Sequence, residues 1–222
     1  MPASPKRLNT TCMPNSSRPL FIVFEGLDGS GKTTQIERLA DRLAAEGYNV
    51  QLTAEPTDFL PSGQLIRDIL QHRVTADPKT VAALFAADRI EHLMHPETGV
   101  LARLEAGQTV IASRYYFSSL AYQAAYGGID WVAALNSQAR ALRPADITFF
   151  LDLPPEVSIE RIQRNRDQTE LFETLEKLTE VRTAFQRAFK YWGEGEEIVE
   201  VDASASIDEV ANQIWQPIER LL

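Results

Sequence analysis

The chain has 222 residues, 44% of them hydrophobic and 24% charged, an ordinary globular composition that is long enough for one well-packed domain. Its formal net charge of −9 argues against a nucleic-acid partner, which needs a basic face. Short apolar runs argue against a membrane span, and the single cysteine, Cys12, excludes an intramolecular disulfide and fits a reducing, cytoplasmic setting.

Residues 1–19 form a polar segment with three positive charges, no negative ones and little apolar periodicity. The segment lacks the apolar run of a secretory signal, and its arginines are too few for a typical transit peptide. We therefore expect a disordered tail, or a start codon placed too early, followed by one domain over residues 20–222.

Beyond residue 19, short apolar strands alternate with longer helical patterns. Strands are predicted at 20–25, 49–53, 109–113, 147–153 and 197–201. Helices are predicted at 32–46, 62–72, 77–106 with a break at His95–Pro96, 117–140 in pieces, 155–164, 171–192 and 206–221. Several strands are apolar on both faces, as a parallel sheet covered by helices requires. The pattern predicts an α/β fold with a five-stranded parallel sheet, helices on both faces and right-handed crossovers.

The stretch FIVFEGLDGSGKTT (21–34) contains a P-loop. It fits the pattern G-x-x-x-x-G-K-[ST] between an apolar strand and a helical pattern. Glycines let successive backbone N–H groups point inward, and the following helix adds a partial positive charge. Lys32 is expected to reach the outer phosphates of ATP, and the Thr33 hydroxyl to bind Mg²⁺. The predicted nucleotide contacts in this loop are Gly26, Leu27, Asp28, Gly29, Ser30, Gly31, Lys32, Thr33 and Thr34.

The sequence also separates this chain from other P-loop classes. Outside the P-loop it has no D-x-x-G, and nowhere does it have N-K-x-D, the two elements that a guanine-nucleotide switch normally adds. Its size does not suggest a motor or a transport ATPase. A small P-loop domain without these elements is most often a kinase of a small metabolite.

Seven motifs follow one another along the chain. They are FEGLDGSGKTTQ, EPT (55–57), LFAADR (84–89), SRYYFSSLAYQ (113–123), PADITFFLDLPPEV (144–157), ERIQRNR (160–166) and VDASASIDEV (201–210). In their order and spacing the chain resembles the thymidylate kinase family from about residue 20 to its C-terminus. The resemblance implies a dimeric P-loop kinase that uses Mg²⁺ and ATP to phosphorylate dTMP. The alternatives are a kinase of another nucleoside monophosphate or of a deoxynucleoside, and a non-catalytic nucleotide-binding module.

Phe85 and Arg89 lie four residues apart in a helical pattern and therefore share a face. An aromatic ring and a guanidinium suit a planar base. The resemblance implies that Phe85 stacks on thymine and that Arg89 hydrogen-bonds it. A separate, core-facing stripe of the same helix is predicted at Ala83, Ala87, Ile90 and Met94.

Arg114 follows the strand at 109–113, at the carboxyl end of the sheet, where such folds bind ligands. The resemblance assigns Arg114 to the phosphate of the acceptor, and Asp28 to the acceptor sugar and to catalysis. Arg67 aligns with a second phosphate-binding arginine through a one-residue insertion. The full set of implied substrate-binding residues is Glu55, Pro56, Arg67, Phe85, Arg89, Arg114, Ser118 and Gln123.

The arginine-rich segment resembles the lid of the family, at about 160–172. Two anionic substrates have to be brought in line, so cations do most of the catalysis. The family carries a catalytic arginine in the P-loop or in the lid, and Gly29 at the P-loop position points to the lid. Arg161 is expected to cover the adenine, and Arg164 and Arg166 to reach the transferring phosphoryl group. The predicted catalytic residues are Lys32, Asp28, Arg114, Arg164 and Arg166.

Two positions depart from the family. Ser113 stands where an aspartate usually precedes the arginine, and the lid sequence TELFE (169–173) has Leu171 where a basic residue is common. The missing aspartate helps to hold the metal. We therefore expect Glu25 or Asp28 to replace it, or the Mg²⁺ requirement to be weaker.

The three histidines, His72, His92 and His95, could suggest a metal site. His92 and His95 lie three residues apart in a helical pattern, but no third ligand is evident. We interpret them as ordinary surface or capping residues.

Overall fold

The computed structural model describes residues 18–165 and 174–222, and these ranges form one parallel sheet surrounded by helices. The strands are β1 (Phe21–Gly26), β2 (Val50–Ala54), β3 (Thr109–Ser113), β4 (Ile147–Asp152) and β5 (Ile198–Asp202). The helices are α1 (Lys32–Ala45), α2 (Pro61–Leu70), α3 (Pro78–Met94), α4 (Val100–Glu105), α5 (Tyr116–Gly127), α6 (Ile129–Leu142), α7 (Pro155–Asn165), α8 (Leu175–Trp192) and α9 (Ile207–Glu219). In these two ranges, no helix combines the length and the apolar composition that crossing a membrane requires.

The five strands pair in the order β2-β3-β1-β4-β5, and every pair is parallel. β1 is buried at all six positions, and β4 at five of six, because helices cover both faces of the sheet. The predicted five-stranded α/β fold is confirmed. The chain passes from β1 to β2 on one side of the sheet and from β3 to β4 on the other side of β1, so the strand order reverses beside β1. This reversal creates a crevice at the carboxyl ends of the central strands.

The core lies on the two sides of this sheet. On one side Phe150 of β4 packs against Phe185 of α8, with ring centroids 5.1 Å apart. On the other side Phe149 of β4 belongs to a cluster with Leu43 of α1 and Ile214 of α9. Helices held on both faces fix where each strand ends, and therefore where the loops of the crevice begin.

The predicted break at His95–Pro96 is present, because α3 ends at Met94 and α4 begins at Val100. The predicted core stripe of α3 is wrong: Ala83 and Ala87 are exposed, Met94 is 58% exposed, and only Ile90 packs partly against the core. The buried residues are Val81, Ala82, Ala86, Asp88, Arg89, His92 and Leu93. Three of these residues are ionisable and are buried because they hydrogen-bond to other elements, so apolar periodicity alone selects the wrong face.

The predicted lid is only partly covered by the described residues. α7 is described to Asn165, and α8 begins at Leu175, where the Thr174 side chain accepts a hydrogen bond from the Lys177 N–H. Two residues singled out from the sequence, Arg166 and Leu171, lie outside the described ranges. The predicted tail lies outside them as well, apart from its last two residues.

Candidate active site

A cavity of about 770 Å³ opens at the carboxyl edge of the sheet. Its walls are residues 28–34, residues 54–56 and side chains from α2, α3, α5, α7 and α9. Most of the predicted site is therefore brought together in one place. Of the predicted site residues that the structure describes, only Gly26, Leu27, Arg164 and the alternative metal ligand Glu25 do not line this cavity.

Two glycines of the P-loop are required by close contacts. Gly26 has a φ of 144°, and a Cβ there would lie 2.7 Å from the Leu151 carbonyl oxygen of β4. Gly29 has a φ of 74°, and a Cβ there would lie 2.9 Å from the Ser158 carbonyl oxygen of α7. A side chain at either position would require β4 or α7 to shift. Position 29 therefore has no room for an arginine unless α7 shifts.

Lys32 is the first residue of α1, and only 8% of it is exposed. Its Nζ atom donates to the carbonyl oxygens of Gly26 at 3.1 Å and Leu27 at 2.7 Å. Gly26 and Leu27 thus shape the P-loop through their main chain. No side chain of residues 18–165 or 174–222 caps the N-terminus of α1, so its first N–H groups are suited to bind a phosphate at the cavity wall, next to Thr33.

Arg114 directly follows β3 and has a φ of 71°, which is uncommon for a residue with a side chain. Its guanidinium donates to the Gly26 carbonyl oxygen at 3.2 Å, to Ser118 Oγ at 3.0 Å and to Asp28 Oδ1 at 2.7 Å. These contacts hold a cation from β3 directly against the P-loop. Two phosphates could therefore be neutralised side by side.

Tyr122 completes the surroundings of Arg114. Its hydroxyl lies 3.3 Å from Arg114 Nη2, and its ring centroid lies 5.0 Å from the guanidinium carbon. Burial alone would lower the pKa of Arg114, but Tyr122, Asp28 and Glu25 outweigh it and raise that pKa. Sequence reasoning missed Tyr122, although it belongs to the SRYYFSSLAYQ motif and lies one helical turn after Ser118.

Glu25 is fully buried at the end of β1 and faces the N-terminus of α5. Its carboxylate accepts hydrogen bonds from the Tyr115 N–H and from the N–H and hydroxyl of Ser118. Burial raises the pKa of Glu25, although these hydrogen bonds oppose the shift. Glu25 does not line the cavity, so it stabilises the start of α5 and is not placed as the expected metal ligand.

Arg89 and Glu55 form a buried ion pair that also lines the cavity, with side chains 1% and 2% exposed. Arg89 Nε donates to Glu55 Oε2 at 2.7 Å, and Nη2 to the Tyr115 carbonyl oxygen at 3.1 Å. Nη1 donates to Ser119 Oγ at 3.0 Å and to Asn136 Oδ1. Nη2 also lies 2.7 Å from Glu55 Oε2, so protein acceptors surround the whole guanidinium of Arg89, and its orientation is set before any ligand enters.

Three other predicted residues also line the cavity. Phe85 is partly buried, one turn before Arg89, and lines the cavity. Gln123 is 4% exposed, and its Oε1 atom has no hydrogen-bond partner in the described part of the chain, so it can accept a hydrogen bond from a ligand. Arg67 donates to the carbonyl oxygens of Pro56 at 2.5 Å and Thr57 at 3.3 Å.

The two described arginines of the lid differ in position. Arg161 lines the cavity, and its Nη2 donates to the Ala203 carbonyl oxygen at 3.3 Å, after β5. The Arg164 side chain is 76% exposed, lies 3.6 Å from the Glu160 carboxylate and does not line the cavity. The structure thus brings Arg161 to the site and leaves Arg164 outside it.

Comparison with known proteins adds independent information. The thymidylate kinase family model matches residues 24–214. A probable thymidylate kinase of Pyrococcus abyssi (strain GE5 / Orsay) is 39% identical over 203 residues, which cover 89% of this chain and 94% of that protein. Thymidylate kinases of Shouchella clausii (strain KSM-K16) and Leptospira borgpetersenii serovar Hardjo-bovis (strain L550) are 37% and 31% identical. These alignments cover 91% and 88% of this chain, and 96% and 91% of the two relatives, so the similarity extends far beyond the P-loop.

Proposed function

The chain belongs to the thymidylate kinase family, whose enzymes phosphorylate dTMP to dTDP with ATP, and we propose how its residues divide that reaction. One observation carries the proposal. A P-loop and an arginine from a different strand meet in one cavity, with Arg114 Nη2 2.7 Å from Asp28 Oδ1. A nucleotide-binding module has no use for a second cation at this place, whereas transfer between two phosphates requires one.

On the donor side, the P-loop amides and Lys32 bind the phosphates of ATP. The uncapped N-terminus of α1 supplies N–H groups for them, and the buried Nζ of Lys32 is already held on two main-chain oxygens of the loop. Arg161 covers the adenine, next to Ala203. In this proposal the γ-phosphate points towards Arg114.

On the acceptor side, Arg114 binds the phosphate of dTMP, and Arg67 assists it from α2. The base lies against Phe85, with Gln123 Oε1 as the acceptor for an N–H of the base. Arg89 closes the end of this pocket from its buried pair with Glu55.

Asp28 serves the reaction by orienting Arg114. A phosphate-monoester oxygen is already ionised at pH 7 and needs no base to activate it. The 2.7 Å contact between Asp28 and Arg114 fixes the guanidinium at the P-loop, so that two anionic groups can approach with little reorganisation.

Mg²⁺ fits the donor side through Thr33. The Thr33 hydroxyl is exposed in the cavity at the first turn of α1, the place from which P-loop kinases bind the metal. Among residues 18–165 and 174–222 there is no group of three acidic, histidine or cysteine side chains that could hold a metal, and Asp28 is paired with Arg114. When bound, Mg²⁺ would neutralise charge on the phosphates that these residues hold.

A carboxylate at position 113 should therefore strengthen metal binding. In Ser113→Asp, we expect turnover to stay equal or rise and the half-saturating Mg²⁺ concentration to fall about threefold or more, since Mg²⁺ prefers carboxylate ligands. Turnover measured against Mg²⁺ concentration at saturating substrates checks this result. Ser113→Asn is the control of similar shape, and a large loss of activity in Ser113→Asp alone would show that the serine has a role of its own.

The lid supplies the remaining positive charge. Because position 29 has no room for a side chain, we infer that Arg164, Arg166 or both approach the transferring phosphoryl group when both nucleotides are bound. Closure of this segment would also exclude water that could hydrolyse ATP.

We also infer a homodimer, as in the family. Exposed apolar side chains such as Phe59, Leu65 and Met94 form surface that a partner could cover.

The experiment that tests the proposed function is an ADP-release assay with Mg²⁺ and ATP. The acceptors are dTMP, dUMP, dCMP, AMP, GMP and thymidine. Selective turnover of dTMP supports the proposal. Turnover of another monophosphate instead would mean that the base pocket around Phe85 and Gln123 selects a different base. ATP binding without turnover of any acceptor would favour a nucleotide-binding module.

A further inference from the structure

His92 lies on α3, three residues after Arg89, and only 1% of it is exposed. Its Nδ1 atom lies 3.0 Å from Glu55 Oε1, and its Nε2 atom lies 2.6 Å from Thr53 Oγ1. The interpretation of this histidine as a surface or capping residue is therefore wrong. It is a buried residue whose two ring nitrogens both contact the chain that leads from β2 into the cavity.

The partners determine which ring nitrogen carries the proton. A carboxylate of Glu55 only accepts hydrogen bonds, so Nδ1–H donates to Glu55, and Nε2 can accept the hydroxyl proton of Thr53. Glu55 then receives a separate donor on each oxygen, His92 on Oε1 and Arg89 on Oε2. Two donors on two oxygens fix the carboxylate in one orientation.

His92 does not line the cavity, whereas Glu55 and Arg89 both do. Arg89 is held on one side by Glu55 and on the other by acceptors from α5, α6 and the turn before α5. If the Glu55 carboxylate rotates, Arg89 loses its only anionic partner among the described contacts. Any effect of His92 on a ligand must therefore pass through Glu55.

We propose that His92 is a positioning residue for the acceptor pocket: it orients Glu55, and through Glu55 it holds Arg89 at the base. The proposal rests on the proposed function in one respect, the place of Arg89 at the base of dTMP. Loss of the hydrogen bond from Nδ1–H should raise the KM for dTMP. The KM for ATP should stay unchanged, because the residues that bind ATP share none of these contacts.

Three substitutions separate the two hydrogen bonds of His92. His92→Asn keeps a donor near the position of Nδ1, His92→Gln keeps a polar group near that of Nε2, and His92→Leu removes both. We expect a KM for dTMP within about threefold of the wild type in the asparagine variant, and about tenfold or more above it in the other two, the size of one charge-assisted hydrogen bond. The KM for ATP should stay within about twofold in all three.

A purely structural role would give a different pattern. It would lower the melting temperature in all three variants, while the KM for dTMP would be the same in the asparagine variant as in the other two. Alternatively, it would change the KM for dTMP and the KM for ATP together. Either result overturns the proposal. If His92→Leu does not fold, the contrast between the asparagine and glutamine variants carries the test. His72→Asn is the surface control, because His72 is exposed and asparagine tolerates its φ of 59°.

Arg89→Lys, measured in the same series, tests the role of Arg89 at the base separately from the role of His92. An unchanged KM for dTMP in this variant would show that Arg89 does not serve the base, and the role of His92 would fail with it. A raised KM in Arg89→Lys together with a normal KM in His92→Gln and His92→Leu would overturn the positioning role alone.

Discussion

Lys32→Ala should lower kcat by about 10²-fold or more, a loss of about 2.7 kcal/mol of transition-state stabilisation. Its ammonium is the P-loop cation, held over the loop by the Gly26 and Leu27 carbonyl oxygens. In the transition state these bonds give way to bonds with phosphate oxygens, whose charge is then largest. Steady-state turnover with saturating ATP and dTMP measures the effect.

The control for this variant is Lys190→Ala, an exposed lysine in the last turn of α8. It removes the same charge from the protein at a place that does not line the cavity. Turnover in Lys190→Ala should stay near that of the wild type. Near-normal turnover in Lys32→Ala would refute the catalytic role of the lysine.

Arg114→Ala should raise the KM for dTMP by about 10²-fold, while the KM for ATP changes by less than about threefold. A guanidinium that makes two charge-assisted hydrogen bonds to a phosphate accounts for an effect of this size. Both residues carry a Cβ, so the positive φ of position 114 is equally unfavourable before and after the substitution. The change in the KM for dTMP therefore measures the contribution of the guanidinium to binding.

Initial rates with each nucleotide varied in turn give the two KM values. Arg38→Ala is the matched control, because Arg38 lies on the exposed side of α1, where it pairs with Asp208. Equal increases in both KM values of Arg114→Ala would mean that this arginine serves the P-loop as a whole. In that case the acceptor phosphate would have to be assigned to Arg67.

The parts of this molecule that local patterns encode were predicted from the sequence. The predicted strands 20–25 and 147–153 are mostly apolar, and the observed β1 and β4 agree with them within one residue at each end. The P-loop was predicted with its residues because its geometry depends on glycines at fixed spacing. The order of later motifs also singled out Arg114 and Gln123, and both line the cavity.

The parts that depend on distant partners were not predictable in the same way. Arg89 was expected on a face away from the core, yet it is buried among acceptors from residues 55 to 136. No pattern within α3 signals this burial, because the compensating hydrogen bonds come from other elements. His92 was misinterpreted for the same reason. Tyr122 could have been found, since its spacing from Ser118 places both side chains on one face of α5.

The carbonyl oxygen of Gly26 accepts a hydrogen bond from each of the two cations, Lys32 at 3.1 Å and Arg114 at 3.2 Å. One main-chain atom is thus common to the group that binds the donor and the group that binds the acceptor. When a phosphate draws one cation away, the other has this oxygen to itself. The binding free energy of each nucleotide then depends on whether the other is present, and thermodynamic reciprocity makes the two dependences equal. Such linkage would need no movement of a domain, only two side chains that share one atom.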